Sequence, residues 1–271
     1  MIHQTRSAVI LARGLGTRMR RSDPSVSLQR DQAAAAELGM KGMIPIGRPF
    51  LDYLLSALAD AGFDRVCLVI GPEHEAAVKH YTTVSPPSRI ALHFATQEKP
   101  LGTADAVLAA ESFCGDESFV VLNSDNYYPV QALAELRSTE PPAIAGFARS
   151  ALIAHGNVQP DRVTRFGALT IDSEGYLVSI IPRAGETASS RGEVYASMNC
   201  WLFDNRIFDA CRRVTLSPRN ELELPRAVQL AIDTMQMRFK VVTFDLPVLD
   251  MSTRGDIESV AMKLKEITVR L

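Results

Sequence analysis

The chain of 271 residues has only four cysteines, Cys67, Cys114, Cys200 and Cys211, and no two of them form a CxxC pair. That removes zinc ribbons and dithiol redox motifs. Three of the four lie among apolar or aromatic neighbours, where a free thiol packs as a small hydrophobe, so they read as reduced, structural and cytoplasmic. A surplus of positive charge is also missing, since 29 Lys and Arg face 31 Asp and Glu for a net charge of -2. Binding to a phosphate backbone needs basic residues in excess on one face, so nucleic acid is not an expected partner, although a local basic cluster can still hold a small anion. No stretch approaches the roughly 20 apolar residues that cross a bilayer. The apolar run at 8–12, with one basic residue ahead of it, is too short for a secretory signal. Neither membrane nor export is expected. A Walker A sequence is absent, and the glycine loop near the N-terminus lacks the third glycine of the dinucleotide fingerprint, which leaves P-loop and Rossmann dehydrogenase chemistry without support.

What remains is an ordinary soluble composition, 46% hydrophobic and 22% charged, far from that of a disordered chain. The length is compatible with one catalytic domain. In the first half, strands are expected at 7–12, 66–71, 90–95 and 119–123, alternating with helices at 49–61, 73–81 and 103–112. The first helix has Pro49 near its start, Leu51, Leu54, Leu55 and Leu58 at helical spacing, and Gly62 as its stop. Strands separated by such helices build a parallel sheet with right-handed crossovers, which binds ligands at the carboxyl ends of its strands. From residue 143 longer strands follow, at 143–149, 168–172, 176–182 and 195–203. Two helices, 223–237 and 253–268, flank a strand at 239–246. Residues 20–40 stand apart, with a short helix expected at 31–38. We read them as a surface element packed on the domain or on a second copy in a homo-oligomer, ahead of the alternative of a nucleotide-sensitive lid.

Several segments carry chemistry. A strand that passes directly into Gly14-Leu15-Gly16-Thr17-Arg18 sets small residues where backbone must approach phosphate oxygens, with Arg18 as a fixed cationic fork. Such a loop is also common as a plain tight turn. Lys41 precedes Ile44-Pro45-Ile46-Gly47. Gln97 offers an amide with donor and acceptor, and Gly102-Thr103 follow, where Thr103 is either a nucleotide contact or the N-cap of the next helix. Asp125 and Asn126 end a buried strand, where an Asp commonly caps the following turn.

In order and spacing these segments resemble the sugar-1-phosphate nucleotidyltransferase family of pyrophosphorylases over nearly the whole chain. The resemblance implies a Rossmann-like three-layer α/β fold of the glycosyltransferase-A-like kind, with a central, mostly parallel mixed sheet. It further implies a nucleotide-binding half at 1–142 and a sugar-phosphate half at 143–271. Its substrates would be an NTP and a sugar 1-phosphate, and its cofactor Mg²⁺. Residue by residue, it assigns the nucleotide to Leu11, Ala12, Gly14, Gly16, Thr17, Gln97, Gly102, Thr103 and Asn126, and catalysis to Arg18 and Lys41. The metal falls to Asp125 and to Asp250, which lies in a segment similar to the family's D-x-G-T-x-x-D ending. Asn199 and Glu221 would meet sugar hydroxyls, unless they serve as a strand-edge or helix-start hydrogen bonder. The Gln97 amide suits the imide edge of uracil or thymine, which points to UTP or dTTP.

Three positions depart from the family. Arg13 replaces a small residue of the phosphate loop, and either adds a phosphate contact or points to solvent. Ser124 replaces a glycine, which requires a backbone without positive φ. The Glu-Lys-Pro signature is replaced by Ile181-Pro182-Arg183, where Arg183 would supply the phosphate cation. The departures leave two competing readings: the same chemistry on a phosphonate, alcohol phosphate or cyclitol phosphate, and a nucleotide-binding paralogue without activity.

Overall fold

The structure, a computed structural model, describes residues 4–181 and 193–271. Its strands are β1 (Ser7–Leu11), β2 (Arg65–Ile70), β3 (Ala91–Thr96), β4 (Phe119–Asn123), β5 (Asn126–Tyr127), β6 (Ala143–Ala148), β7 (Ala168–Ile171), β8 (Leu177–Ile181), β9 (Tyr195–Phe203), β10 (Lys240–Phe244) and β11 (Leu249–Asp250). The main sheet runs β10-β6-β9-β4-β1-β2-β3, with the β7–β8 hairpin attached to β9 through β7. Along that path β9 alone opposes the other strands, pairing antiparallel with β4 and β6, so the sheet is mixed and mostly parallel as expected.

Alternation along the central strands explains the layers, because successive side chains leave a strand on opposite faces. Ala8 and Ile10 of β1, Leu68 and Ile70 of β2 and Leu122 of β4 face one helical layer, to which Leu51, Leu54, Leu55 and Leu58 of the helix Phe50–Asp60 belong. Val9, Cys67, Val69 and Val121 face the other, made by the helices Thr103–Ala109, Ile207–Arg213 and Leu224–Met235. Each of those four leucines is fully buried, which stabilises the fold by about 1.5–3 kcal/mol per side chain. The four cysteines are buried and unpaired, and burial pushes the Cys67 thiol up to about 12.

Some boundaries differ from the sequence reading. The expected helix at 103–112 breaks at Ala110 into Thr103–Ala109 and Glu111–Cys114. The one at 73–81 is Glu75–Lys79 followed by a wider turn at His80–Val84, and the last helix is shorter, Asp256–Leu264. Helices at Val130–Arg137, Arg149–Ala154, Pro160–Val163 and Ile207–Arg213 were not foreseen. Within residues 20–40, the helix Arg30–Leu38 packs on this chain. Ala36 and Ala35 join Met19, Ile44, Phe50 and Met251 in a third apolar cluster, and Gln32 donates to the Pro45 carbonyl at 2.9 Å. The segment returns to the glycine loop at Gly39, whose backbone abuts Gly16 so closely that Gly16 has no room for a side chain, while a Cβ on Gly39 would meet the Arg20 side chain and the Leu15 carbonyl.

Candidate active site

β1 lies between β2 and β4, and the chain leaves it for β2 on one side while β4 fills the other. This is the switch point at which parallel sheets bind ligands. A cleft of about 320 Å³ opens there, and it gathers Leu11, Ala12, Gly14, Gly16, Thr17, Arg18, Lys41, Gln97, Gly102, Thr103, Asp125 and Glu221. β1 is tied on both flanks, by Ala12 N–H to the Val69 carbonyl (2.9 Å) and Ser124 N–H to the Leu11 carbonyl (3.2 Å). The loop then turns through Gly16 at φ 59°, a left-handed conformation that glycine adopts without strain. Ser124 is not among the positive-φ residues, so the serine fits its backbone.

On the β4 side, Lys41 Nζ sits 2.6 Å from Asp125 Oδ2, an ion pair at the edge of the cleft. On the β3 side, Gln97 is 4% exposed, and its amide nitrogen donates to the Gly102 carbonyl (3.0 Å) and to Asp105 Oδ2 (2.7 Å). Gly102 holds φ +128°, and a Cβ there would meet the Leu222 backbone at 2.5 to 2.8 Å. Thr103 does not cap its own helix, contrary to one of its two sequence readings. Its hydroxyl accepts from Leu224 N–H at 2.8 Å and so caps the start of the helix Leu224–Met235, while Ala104 N–H bonds the Leu222 carbonyl. These bonds bring Glu221 to the cleft. Gly102→Ala is therefore expected to cost about 2 kcal/mol through forced backbone movement, lowering Tm by roughly 4–8 °C. A thermal melt within about 1 °C of wild type would show that the approach is not tight.

Arg13 does not point to solvent but joins the lining of the cleft. Its side chain, 8% exposed, packs against Gly71 and pairs with Glu73 at 3.3 Å. The pairing and a backbone hydrogen bond hold the Glu73 carboxyl below its ordinary range, the backbone bond being the larger cause.

Three expected site residues do not line the cleft. Asn126 is buried, and its amide nitrogen reaches Asp250 Oδ1 (3.1 Å) and, more weakly, the Leu249 carbonyl (3.4 Å). Asn199 sits in β9 at φ 53° and is not part of the cleft lining. Asp250 is 4% exposed, with Oδ1 accepting from Asn126 and Ser252 and Oδ2 gripped by Arg162. Arg183 lies outside the described residues.

Arg162 carries no role in the sequence reading, yet it bridges two buried carboxylates, Asp250 and Asp256, the latter at 2.6 Å. Asn157 adds a second clamp, exchanging two 2.9 Å bonds with the Asp250 backbone. Burial pushes the Asp250 carboxyl up and the neighbouring Asp125 charge pushes it the same way, while Arg162 pulls it down. For a hard divalent cation, which takes oxygen ligands, Asp125 fits: Oδ1 has no partner among the described residues, and the carboxylate lines the cleft. Asp250 is its neighbour, since Met251 N–H bonds the Asp125 carbonyl at 2.9 Å and β5 pairs with β11, but its oxygens are already engaged. No cluster of three or more His, Cys, Asp or Glu side chains suited to a metal occurs among the described residues.

The sequence pattern that defines the nucleotidyl transferase family matches residues 7–246. A UTP–glucose-1-phosphate uridylyltransferase of Haloferax volcanii, AglF, is 27% identical over 97% of this chain and 98% of its own length. A glucose-1-phosphate thymidylyltransferase of Streptomyces antibioticus is 30% identical over 83% of this chain and 57% of its own. Among solved structures, the inositol-1-phosphate CTP transferase from T. maritima superposes with a TM-score of 0.71 at 18% identity, covering 98% of each chain. That likeness concerns the fold.

Proposed function

The chain belongs to the nucleotidyl transferase family, and on that premise we propose that it couples UTP or dTTP to a hexose 1-phosphate, giving an NDP-sugar and pyrophosphate. One observation carries this reading: the glycine loop with Arg18, the Lys41–Asp125 pair and Gln97 face one cleft at the sheet's switch point. The base preference follows the uridylyl- and thymidylyltransferase relatives and the Gln97 amide.

In the proposed reaction an oxygen of the sugar phosphate attacks the α-phosphorus in line. A new P–O bond forms as the bond to the β-phosphate bridging oxygen breaks, and pyrophosphate leaves with that electron pair. The nucleophile is already anionic at neutral pH, so no general base is needed. The chain's work is positioning and charge neutralisation. Gly14 and Gly16 let the backbone approach phosphate oxygens, Arg18 offsets the departing pyrophosphate and Lys41 the transferred phosphoryl. Asp125 and Asp250 would hold Mg²⁺, which would supply charge neutralisation when bound, with Arg162 as the cation it would have to displace from Asp250.

The test is a matrix of NTPs against glucose, galactose, mannose and N-acetylglucosamine 1-phosphates and inositol 1-phosphate, scored by magnesium-dependent pyrophosphate release. Turnover is expected with UTP or dTTP and at least one hexose 1-phosphate. Release with inositol 1-phosphate alone would overturn the acceptor, and release with none would overturn the activity.

A further inference from the structure

We infer that Asp105 is a positioning residue that fixes which end of the Gln97 amide faces the cleft, and so selects keto bases (uracil, thymine, guanine) over amino bases (cytosine, adenine). The inference rests on the proposed nucleotide site and deepens it. Gln97 sits at the carboxyl end of β3, its own N–H bonded to the Ile70 carbonyl at 2.8 Å. An amide nitrogen has two hydrogens, and both are taken, one by the Gly102 carbonyl and one by Asp105. Both partners are pure acceptors. Turning the amide over would set its oxygen against two oxygens, so the orientation follows from the chemistry of the neighbours and not from how the two ends of the amide are labelled.

What is left for a ligand is the amide oxygen. Gln97 Oε1 accepts from no described residue, and Gln97 lines the cleft beside Gly102. Gly102 N–H has no partner among the described residues either. An acceptor next to a donor matches a ring N–H flanked by a carbonyl, the edge shared by uracil, thymine and guanine. Cytosine and adenine present the reverse, a ring nitrogen lone pair flanked by an amino group, and would set two acceptors face to face. Such a mismatch leaves polar groups unpaired in a dry site, which is how hydrogen-bonding pockets discriminate strongly. Asp105 touches no base. It acts through Gln97 from the first turn of the helix Thr103–Ala109.

In Asp105→Asn the side chain keeps its shape and gains a donor that can bond Gln97 Oε1, so a turned amide recovers one of its two bonds, losing only that to the Gly102 carbonyl, and can set its nitrogen toward the cleft. The kcat/KM ratio of UTP to CTP is expected to fall by roughly tenfold or more. The change should fall mainly on KM, with kcat for UTP held, because no reacting atom is touched. Asp105→Ala removes the carboxylate without offering a donor, and should relax the ratio less, since the Gly102 carbonyl still holds the amide. Direct binding of UTP and CTP by calorimetry gives the same ratio without turnover, and thermal melts check that each variant is folded. A UTP to CTP ratio unchanged in both variants overturns the role of Asp105 while leaving the base reading intact. A wild-type enzyme that prefers CTP or ATP overturns the base reading itself, and the inference with it.

Discussion

Asp125→Asn is expected to slow pyrophosphate release by about 10³-fold, ~4 kcal/mol of transition-state stabilisation, while NTP affinity changes by less than about fivefold. The carboxylate stands at the end of β4 with Oδ2 on Lys41 and Oδ1 open, so the isosteric amide removes charge without removing volume. Two effects then separate. On the proposed reading, loss of the anion withdraws a ligand that would hold a divalent cation, which weighs on turnover. Lys41 meanwhile loses its counter-charge and remains in the cleft as a cation for the triphosphate, which offsets part of any loss in binding. Single-turnover rates at saturating magnesium and calorimetric NTP binding read the two effects independently. If Asp125 only capped the turn after β4, asparagine would serve as well as aspartate, and a kcat within tenfold of wild type would establish that.

How much of this site was legible in the sequence depended on the range of the interaction. Elements fixed by local pattern were read closely: β4 at Phe119–Asn123 and β9 at Tyr195–Phe203 match their expected bounds, and β1 ends one residue early. Each is a mainly apolar segment bounded by turn residues and long enough to be read locally. The helices Pro160–Val163 and Arg149–Ala154 are too short for that, and the two-residue pairing of β5 with β11 exists only because Asn126 and Asp250 meet across the fold. The cleft residues next to the strand ends were assigned by the resemblance to the family, not by the apolar pattern that located the strands. What failed was side-chain partnership. Nothing local in the sequence says that Gln97 turns back on Asp105 or that Asn126 faces Asp250. Arg13 folding onto Glu73 shows the same limit, since the glutamate belongs to the next strand's loop. Arg162, separated by 88 and 94 residues from its two carboxylates, had no signal at all.

Arg162→Met is expected to destabilise the chain by about 3–5 kcal/mol, because it leaves a buried carboxylate without its counter-charge. Asp256 tolerates the change, since its Oδ2 still accepts from Ser252 N–H, Thr253 N–H and the Thr253 hydroxyl. Asp250 does not. It keeps only the Asn126 amide and the Ser252 hydroxyl on Oδ1, with Oδ2 facing an apolar side chain. Urea unfolding should show the midpoint fall, and adding Asp250→Asn to the variant should return a large part of it, since the double change removes the stranded charge together with its partner. A loss below about 1 kcal/mol would mean that the bridge is worth no more than a surface pair. The same variant bears on the metal. With the guanidinium gone, no other Lys or Arg among the described residues pairs with Asp250, so a cation from solution can take its place, and any ion that binds the native state more tightly than the unfolded chain raises stability by mass action. Magnesium should therefore lift the midpoint of Arg162→Met more than that of wild type, and more than potassium chloride of equal ionic strength does. The lift should vanish when Asp125→Asn is added if, as proposed, both carboxylates hold the ion. If magnesium lifts the variant and the wild type equally, Asp250 is a structural anion whose cation is Arg162, and Asp125 is left to hold the metal with the substrate phosphates.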